Sequence, residues 1–392
     1  MITPIEDQGS LRELGQFDLN DPRLRLTLSW EDIEISAQEQ IVQTLANPFL
    51  KTLVVLPDVH WGMNVCIGTA LLMQDVVIPS FVGVDIGCGM AHVNTGRMVA
   101  ELDLETFESR KALFRTIQKV IPHGKGQGNK KATASPYPVV FESVSMPHGE
   151  RRQVNRGAAR DWGTLGHGNH FIEIGVNAKN EVGITLHSGS RSPGYRIANY
   201  YIAKSAQHNP CPAPFFAITS ALGQSYYHDM LWATNFAAAN RRRMLRKLLN
   251  VLALPEEMPY IEESHNHSIW NREDNTVLHR KGATPANSGE LGLIPGNQLD
   301  GVYVTVGLGN ERYLCSSSHG AGRIMSRTAA RQQGTNAQLK ELMMPVVCRT
   351  DDDVLDEAPW AYKDIHAVIK NQVENRQVDV VDYFKPIIVV KG

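Results

Sequence analysis

Short glycine-rich turns set between β-branched apolar runs are the feature that most limits how this chain folds. The runs Thr52 to Leu56 and Val65 to Met73 have the composition of strands. Residues 79–90, PSFVGVDIGCGM, are predicted to form a further strand that ends in a tight turn, because glycine adopts backbone conformations that other residues resist. Helical segments lie between such blocks, so we predict an α+β fold with mixed β-sheet layers flanked by helices.

Segments with few helix breakers are predicted as helices at 37–45, 104–120, 218–252 and 364–373. The second ends before Pro122, which lacks the N–H that a helix needs, and the loop HGKGQGNKK (123–131) follows. The third is one long helix or two short ones. The apolar strand PIIVVKG closes the sequence. Since no Pro/Ser linker, low-complexity tract or internal repeat separates the halves, residues 1–392 are expected to form one large domain.

Composition places this domain in a reducing compartment. The five cysteines are an odd number and widely scattered, which does not suit a disulfide framework. Residues 1–14 contain acidic side chains and no apolar core of a signal peptide, and no apolar stretch reaches membrane-spanning length. We therefore expect a cytoplasmic protein with no membrane partner.

The net charge of −2 does not indicate a general affinity for nucleic acid. Any RNA contact must then come from a local group of cations. A basic run lies near the end of the third predicted helix, at Arg241, Arg242, Arg243, Arg246 and Lys247. A solvated helix face is favoured over an RNA site here, because cations also sit comfortably near helix C-termini.

Asp85 and Cys88 lie three residues apart in a glycine-flanked turn, where both side chains can converge on one point. A thiolate beside a carboxylate suits a divalent transition ion. The alternative is a buried cysteine with a turn-capping aspartate. Both interpretations remain open from this segment alone.

Histidines in three further segments strengthen the metal hypothesis. They are His170 in GTLGHGNHFIEIG, His187 in ITLHSGSRSPG and His265 in IEESHNHSIW. Each alone is more often a core or surface histidine, but with Asp85 and Cys88 they give five ligands, enough for two ions if the thiolate bridges. His60, His167 and His267 are nearby alternatives, and spacing does not choose between His265 and His267.

The segment CSSSHGAGRIMSR, residues 315–327, predicts a second kind of site. His319 precedes Gly320, Ala321 and Gly322, where backbone N–H groups can approach an anion, and Arg323 and Arg327 can neutralise phosphate. An imidazole in such a cradle can attack phosphorus. A structural turn capped by the histidine is the alternative.

Three isolated polar residues have less specific roles. Arg191 and Lys281 are further phosphate-sized donors, although isolated cations are usually surface residues. Glu173 follows His170 by three residues and on a strand would face the other way, so either the segment bends or the two side chains serve different pockets.

Seven blocks between about residue 53 and the last residue resemble the RNA-splicing ligase RtcB family, in the family's order. They are PDVHWGMNVCIGTAL, VGVDIGCGM, GTLGHGNHFIEI, LHSGSRSPG, HRKGATPANSGELGLIPG, GLGNERYLCSSSHGAGRIMSRT and AYKDIHAVIKNQ with VVKG. The resemblance implies an RtcB-like fold and a catalytic domain that joins RNA 3'-phosphate or 2',3'-cyclic phosphate ends to 5'-hydroxyl ends, in RNA repair or tRNA splicing.

The resemblance also implies GTP, two manganese ions and a role for each site residue. His319 would take GMP from GTP and pass it to the RNA 3'-phosphate. Cys88 would bridge the ions, one completed by Asp85 and His170, the other by His187 and His265. The guanylate contacts would be Asn169, Glu173, Gly320, Ala321, Gly322 and Lys391, and the phosphate or RNA contacts would be Arg191, Lys281, Arg323 and Arg327.

The chain departs from the family pattern at His167, where a small residue is common, and at Pro295 to Gln298, where the family has a PGSM turn. Asn297 falls in a segment expected to line the guanosine pocket, so it bears on nucleotide preference. Trp61 and the loop 123–131 are also individual to this chain. An archease-like activator is a further expectation from the family. The competing hypotheses are a metal-dependent cyclic phosphodiesterase on the same scaffold and a non-catalytic RNA or nucleotide binder.

Overall fold

A computed structural model describes residues 18–129 and 144–392. The predictions for residues 1–14 and for the last two residues of the loop 123–131 lie outside this range. The helices are α1 (Ile35–Leu45), α2 (Pro79–Val82), α3 (Phe107–Val120), α4 (His148–Asp161), α5 (Arg191–His208), α6 (Ala221–Val251), α7 (Arg327–Gln333), α8 (Asn336–Leu342) and α9 (Ile365–Glu374).

The strands alternate with these helices along the chain. They are β1 (Leu24–Leu26), β2 (Leu50–His60), β3 (Ile67–Gln74), β4 (Val76–Val77), β5 (Gly89–Met98), β6 (Phe171–Val176), β7 (Glu181–Ser188), β8 (Phe216–Ala217), β9 (Ile261–Ser264), β10 (Asn266–Trp270), β11 (Thr276–Lys281), β12 (Ala283–Pro285), β13 (Leu291–Pro295), β14 (Val302–Gly307), β15 (Ser316–Ser318) and β16 (Val378–Lys391).

Two sheets carry the architecture. One has five strands in the order β1-β2-β3-β11-β10, and the other has seven in the order β13-β14-β16-β6-β7-β5-β9. The seven-stranded sheet is antiparallel throughout, and its long strand β16 lies between β14 and β6. The short pairs β12-β15 and β4-β8 complete the sheets.

Helices cover one face of each large sheet and bury its apolar side chains. The end of α6 contributes Met244, Leu245, Leu248 and Leu249 to a core shared with β5, β6 and β7, and each is at most 2 % exposed. Burial of such side chains stabilises the fold by about 1.5–3 kcal/mol each. Helix α1 packs in the same way on β2 and β3. The prediction of an α+β fold with sheet layers flanked by helices is confirmed.

Most predicted elements are present. The helix predicted at 37–45 is α1, the helix predicted at 104–120 is α3 and ends at Val120, and the segment 218–252 is one helix of 31 residues, α6. Asp364 caps α9 through the N–H of His366, and the closing apolar strand is the end of β16.

The strand predicted at residues 79–90 is wrong for its first part. Residues 79–82 form the short helix α2, because Pro79 has the fixed φ that suits a first helical position and has no N–H to lose there. The tight turn is present at residues 84–87, and the strand β5 begins after it at Gly89. None of the helices in the two described ranges is long and apolar enough to cross a membrane.

Candidate active site

The turn between α2 and β5 carries Asp85 and Cys88 and packs closely on its neighbours. Gly87 has φ +71°, and a Cβ there would lie 2.7 Å from the Cα of Thr234 in α6. A Cβ on Gly189 would lie 2.1 Å from Asp85 Oδ1. A side chain at Gly87 would therefore push the turn away from α6, and one at Gly189 would push Asp85 away from the end of β7.

Strand order explains why three separated histidines meet at this turn. His170 directly precedes β6, His187 lies in β7, and His265 joins β9 to β10. In the sheet, β6, β7, β5 and β9 are consecutive neighbours. Phe171 is paired with His187, and Gly89, which follows Cys88, is paired with both Ser188 and Ser264. The three histidines are therefore held at the same edge of the sheet as Cys88.

The five predicted ligands lie together as two groups that share one member. Within each group the ligand atoms are all within 4.8 Å of one another, and the groups are Asp85, Cys88, His170 and Cys88, His187, His265. Cys88 Sγ is 3.5 Å from His170 Nε2 and 3.3 Å from His187 Nε2. His170 Nε2 is 3.0 Å from Asp85 Oδ2, and His187 Nε2 is 3.3 Å from His265 Nε2. The spare histidine His267 contacts Arg280 at 3.5 Å instead.

Protonation favours metal binding at this cluster. His187 Nδ1 is 3.2 Å from the carbonyl oxygen of Asn169, and because a carbonyl only accepts, Nδ1 carries the proton and the Nε2 lone pair faces the cluster. Burial lowers the pKa of His170, His187 and His265, so all three are neutral. Three neutral imidazoles, a carboxylate and a thiol make a donor set that fits a pair of divalent transition ions.

Arg241 ties together the segments that carry the ligands. This arginine of α6 is 0 % exposed. Its Nη1 donates to the carbonyl oxygens of Gly87 at 2.8 Å and Ser188 at 2.5 Å, and its Nε donates to Glu262 Oε1 at 2.9 Å. The predicted solvated face is thus wrong for Arg241, because the backbone of two ligand segments and a carboxylate of β9 enclose its guanidinium.

His319 follows β15 and is oriented by Asp58 of β2. One carboxylate oxygen of Asp58 accepts from the His319 backbone N–H at 3.1 Å and from its ring Nδ1 at 2.6 Å. With Nδ1 protonated, the Nε2 of the neutral ring carries the free lone pair. Burial acts to lower the pKa of His319, but the charge and hydrogen bond of Asp58, together with the charge of Glu263 and a backbone hydrogen bond to Gly282, outweigh burial and raise that pKa. The His319 ring centroid is 4.9 Å from that of His265, so the imidazole adjoins the metal cluster.

Asp58 has no role in the sequence analysis, although it lies in the PDVHWG block. Its carboxylate is fully buried. Burial acts to raise the pKa of Asp58, but the charge of His319 together with hydrogen bonds from His319 and Ser318 outweighs burial and lowers that pKa. The available signal in the sequence was an aspartate directly after an apolar run and two positions before His60.

A cavity of about 750 Å³ opens beside His319. Its lining residues come from three parts of the fold. The seven-stranded sheet contributes Asn169, Phe171, Glu173, His187, Val389 and Lys391; the region of α1, β2 and β3 contributes Glu34, Ser36, His60, Trp61 and Ile67; and the loops contribute residues 295–298, 319–323 and 325–327 with Glu357 and Tyr362.

Glu173 and Lys391 lie on the wall formed by the seven-stranded sheet. Glu173 is 2 % exposed, its Oε1 has no hydrogen-bond partner among the described residues, and burial raises its pKa to about 8. Lys391 Nζ donates to Glu357 Oε2 at 3.0 Å and to the carbonyl oxygen of Asn169 at 3.3 Å. Glu173 lines the cavity, whereas His170 is not among the lining residues and contacts Asp85 and Cys88.

Arg323 and Arg327 reach the cavity as part of an ion network. Arg327 Nη1 is 2.6 Å from Asp356 Oδ2 and 2.7 Å from Glu357 Oε1. Arg323 donates to the Asp356 carbonyl at 2.8 Å. Burial acts to raise the pKa of Glu357, but Lys391 and Arg327 outweigh it and lower that pKa to about 2. Glu357 and Asp356 were not identified from the sequence.

The loop after His319 is held by the turn at residues 295–298, where the sequence departs from the family pattern. The Ala321 N–H donates to the Pro295 carbonyl at 3.0 Å, and a Cβ on Gly320 would lie 3.2 Å from that oxygen. Asn297, on the cavity lining, caps this turn by accepting from the Leu299 N–H at 2.9 Å.

Three further residues singled out from the sequence, Arg191, Lys281 and His167, are not among the residues that line the cavity. Arg191 Nη1 is 3.3 Å from His170 Nδ1, so its guanidinium lies behind a candidate metal ligand. Lys281 is 6 % exposed, and its Nζ donates to the carbonyl oxygens of Met63 and Ser80. His167 is exposed.

Comparison with known proteins shows which family this chain belongs to. The family model described as tRNA-splicing ligase RtcB matches residues 40–392. The RNA-splicing ligase RtcB of Escherichia coli K12 is 34% identical over 393 residues, covering 92% of this chain and 95% of that protein. The tRNA-splicing ligase RtcB of Nanoarchaeum equitans is 28% identical over 426 residues, covering 88% of each chain. This chain therefore belongs to the RtcB family of RNA-splicing ligases.

Proposed function

We propose that this protein is a GTP- and manganese-dependent RNA ligase that joins RNA 3'-phosphate or 2',3'-cyclic phosphate ends to 5'-hydroxyl ends through guanylylated His319. The observation that carries the proposal is the position of an Asp58-oriented imidazole against a cluster in which Cys88 belongs to two ligand groups. Family membership supports RNA as the substrate.

The donor set supports two manganese ions. Asp85, Cys88 and His170 would hold one ion, and Cys88, His187 and His265 the other. Two such cations, when bound, supply neutralisation of the triphosphate and of the charge that develops on the reacting phosphate.

Guanylylation uses the free lone pair of His319. Nε2 attacks the α-phosphorus of GTP, a P–N bond forms, and the P–O bond to the β-phosphate breaks to release pyrophosphate. Asp58 holds the Nδ1 proton and stabilises the positive charge that the ring gains. Because the ring is fixed before GTP arrives, little reorganisation is needed in this step.

RNA joining takes two further transfers at phosphorus. An oxygen of the RNA 3'-phosphate attacks the phosphorus on His319, the P–N bond breaks, and RNA-3'-pp-5'-G forms. The 5'-hydroxyl then attacks the RNA phosphate and GMP leaves. A 2',3'-cyclic phosphate must first be opened by water to the 3'-phosphate.

The guanylate would lie on the wall formed by the seven-stranded sheet. An ionised Glu173 can accept from the N1–H and 2-amino groups of guanine, and Asn169 and Lys391 border the same space. The backbone of Gly320, Ala321 and Gly322 would run along the phosphate of the guanylate. Arg323 and Arg327, which line the cavity and form ion pairs with Glu357, would hold phosphates or the RNA backbone. Arg191 and Lys281 lie off the lining and would do so only by exchanging their contacts with His170 and with the Met63 and Ser80 carbonyls for phosphate.

The proposal also covers the domain organisation, the cellular compartment and an activating partner. The chain acts as one catalytic domain, which the family match over residues 40–392 supports. It works in the cytoplasm, which its free cysteines support. An archease-type activator assists it, as family membership suggests.

Incubation with Mn²⁺ and GTP labelled at the α-phosphate tests the proposal. Wild type should acquire an acid-labile label, and His319→Ala should not. His319→Ala should still join RNA that already carries an activated 3' end. The matched control is His366→Ala, which removes an exposed histidine outside the cavity lining and should keep the label.

Two results would contradict the proposal. If wild type takes no label while cyclic phosphate is still consumed, the protein is a phosphodiesterase rather than a ligase. If His319→Ala also fails with pre-activated RNA, His319 is not the guanylate carrier.

A further inference from the structure

Trp61 is a large aromatic side chain exposed on the cavity wall. It is 57 % exposed and lines the cavity with His60, Glu34 and Ser36. Met63, two residues on, is 59 % exposed. A single exposed aromatic side chain is ordinary on a protein surface. The position of Trp61 on the cavity wall, rather than its exposure, makes it a candidate contact for a ligand.

The backbone beneath this ring is fixed. Gln40 of α1 binds both polar groups of Gly62, accepting from its N–H at 3.0 Å and donating to its carbonyl at 2.5 Å. The Trp61 N–H donates to Glu34 Oε1 at 2.5 Å, and buried Lys281 donates to the Met63 carbonyl. A ring on such a support loses little backbone entropy when a ligand stacks on it.

The same strand end leads directly to the reacting histidine. Asp58 holds His319, and the rings of His60 and His319 are stacked with centroids 6.4 Å apart and an interplanar angle of 23°. Trp61 is the next residue. A base on Trp61 would therefore belong to a nucleotide whose phosphate is near His319.

The two walls differ in chemistry. The wall of the seven-stranded sheet offers the unpartnered carboxylate of Glu173 to a guanine edge. Among the described residues, the wall with Trp61 contains no arginine or lysine. It therefore suits a base and a ribose rather than phosphate groups. Since the RNA-3'-pp-5'-G intermediate joins two nucleosides through one diphosphate, each wall can take one of them.

We propose that Trp61 stacks on the base of the RNA 3'-terminal nucleotide and holds it while its phosphate reacts. The inference rests on the proposed ligase function and assigns a subsite to it. Stacking is tolerant of base identity, because every base has a π face. Its loss should weaken binding of the RNA 3' end by about 5- to 150-fold.

The test compares Trp61→Ala and Trp61→Phe with wild type in RNA binding and in guanylylation. Fluorescence anisotropy with a labelled 3'-phosphate RNA measures binding without ligation. Trp61→Ala should lose affinity within the range above, and Trp61→Phe should keep most of it. The KM for GTP in guanylylation, measured without RNA, should not change. The matched control Tyr195→Ala removes a side chain that is also 57 % exposed but lies on α5, outside the cavity lining, and should bind RNA normally.

An RNA whose 3'-terminal nucleotide lacks its base isolates the stacking contact. Wild type and Trp61→Ala should bind this RNA equally, because the ring has no base to contact. Equal loss on normal and abasic RNA would overturn the proposal, as would unchanged affinity for normal RNA. A raised KM for GTP would place guanine on this wall and also overturn it. If wild type is not guanylylated, the ligase function fails, yet the binding comparison still decides whether Trp61 holds an RNA end.

Discussion

Replacement of Glu173 by Gln is expected to remove a pH dependence from GTP binding. The carboxyl group is buried, its Oε1 is unpartnered among the described residues, and burial raises its pKa to about 8. Guanine presents two adjacent donors, N1–H and the 2-amino group, so it binds the ionised carboxylate. Binding of GTP must then expel a proton from Glu173 at neutral pH.

The size of the effect follows from that pKa. At pH 7 only about one molecule in eleven has an ionised Glu173, so GTP should bind about tenfold more weakly than at pH 9, a difference of about 1.4 kcal/mol. Affinity should fall by up to tenfold for each unit below pH 8, because the ionised fraction of Glu173 falls by that factor. The amide that Glu173→Gln introduces does not titrate, so this variant should give a flat profile.

Equilibrium dialysis of labelled GTP measures this profile directly. A His319→Ala background prevents reaction, and Mn²⁺ is held constant. ATP provides the control, because it has the same titrating triphosphate but its N1 is an acceptor that an ionised Glu173 repels. The assignment of Glu173 to the guanine edge would be refuted if the affinity for GTP did not change with pH in the His319→Ala protein. It would also be refuted if Glu173→Gln left the pH dependence of that affinity unchanged.

Three further substitutions test the rest of the site. Asp58→Asn should slow guanylylation on the order of 10⁴-fold, because the amide favours a proton on Nε2 of His319, as seen when a histidine-orienting aspartate becomes an amide. Rapid-quench labelling measures the rate, and a loss under tenfold would contradict the prediction. Arg241→Met should weaken Mn²⁺ binding by about 10- to 100-fold in an electron paramagnetic resonance titration, while exposed Arg242→Met should leave it unchanged. Cys88→Ala should reduce the occupancy of both Mn²⁺ sites, measured by metal analysis after dialysis; loss of a single ion would show that the thiolate is not shared.

The ligand cluster was accessible from the sequence because its chemistry is local. Asp85 and Cys88 lie in one turn, and His170 and His187 lie in short glycine-flanked segments, whereas the segment around His265 contains no glycine. That these segments share a sheet edge depends on strand order, which periodicity does not reveal. The resemblance to a known family supplied that step and also the choice of His265 over His267.

Contacts between distant segments were not accessible. Asp58 and His319 are 261 positions apart, and nothing in the sequence around either residue predicts that the two are in contact. Arg241 and Arg242 are adjacent and chemically identical, yet one is fully buried and the other exposed. Their different burial depends only on how α6 packs against the turn that carries Asp85 and Cys88. The helix α2 was missed for a different reason, since four apolar residues after a proline suit either a strand or a helical turn.

The central position of β16 imposes an order on folding during synthesis. The neighbours β9, β5, β7 and β6, which carry or adjoin the metal ligands, are all made before residue 265, but β16 is made about 110 residues later and lies between β6 and β14. Until it is inserted, the sheet consists of two separate parts, and the cavity wall that carries Glu173 lacks Lys391. The nascent chain can therefore bring together Asp85, Cys88 and the candidate ligand histidines well before the cavity wall with Lys391 is complete. The two halves of the candidate site are thus separated in time as well as in sequence.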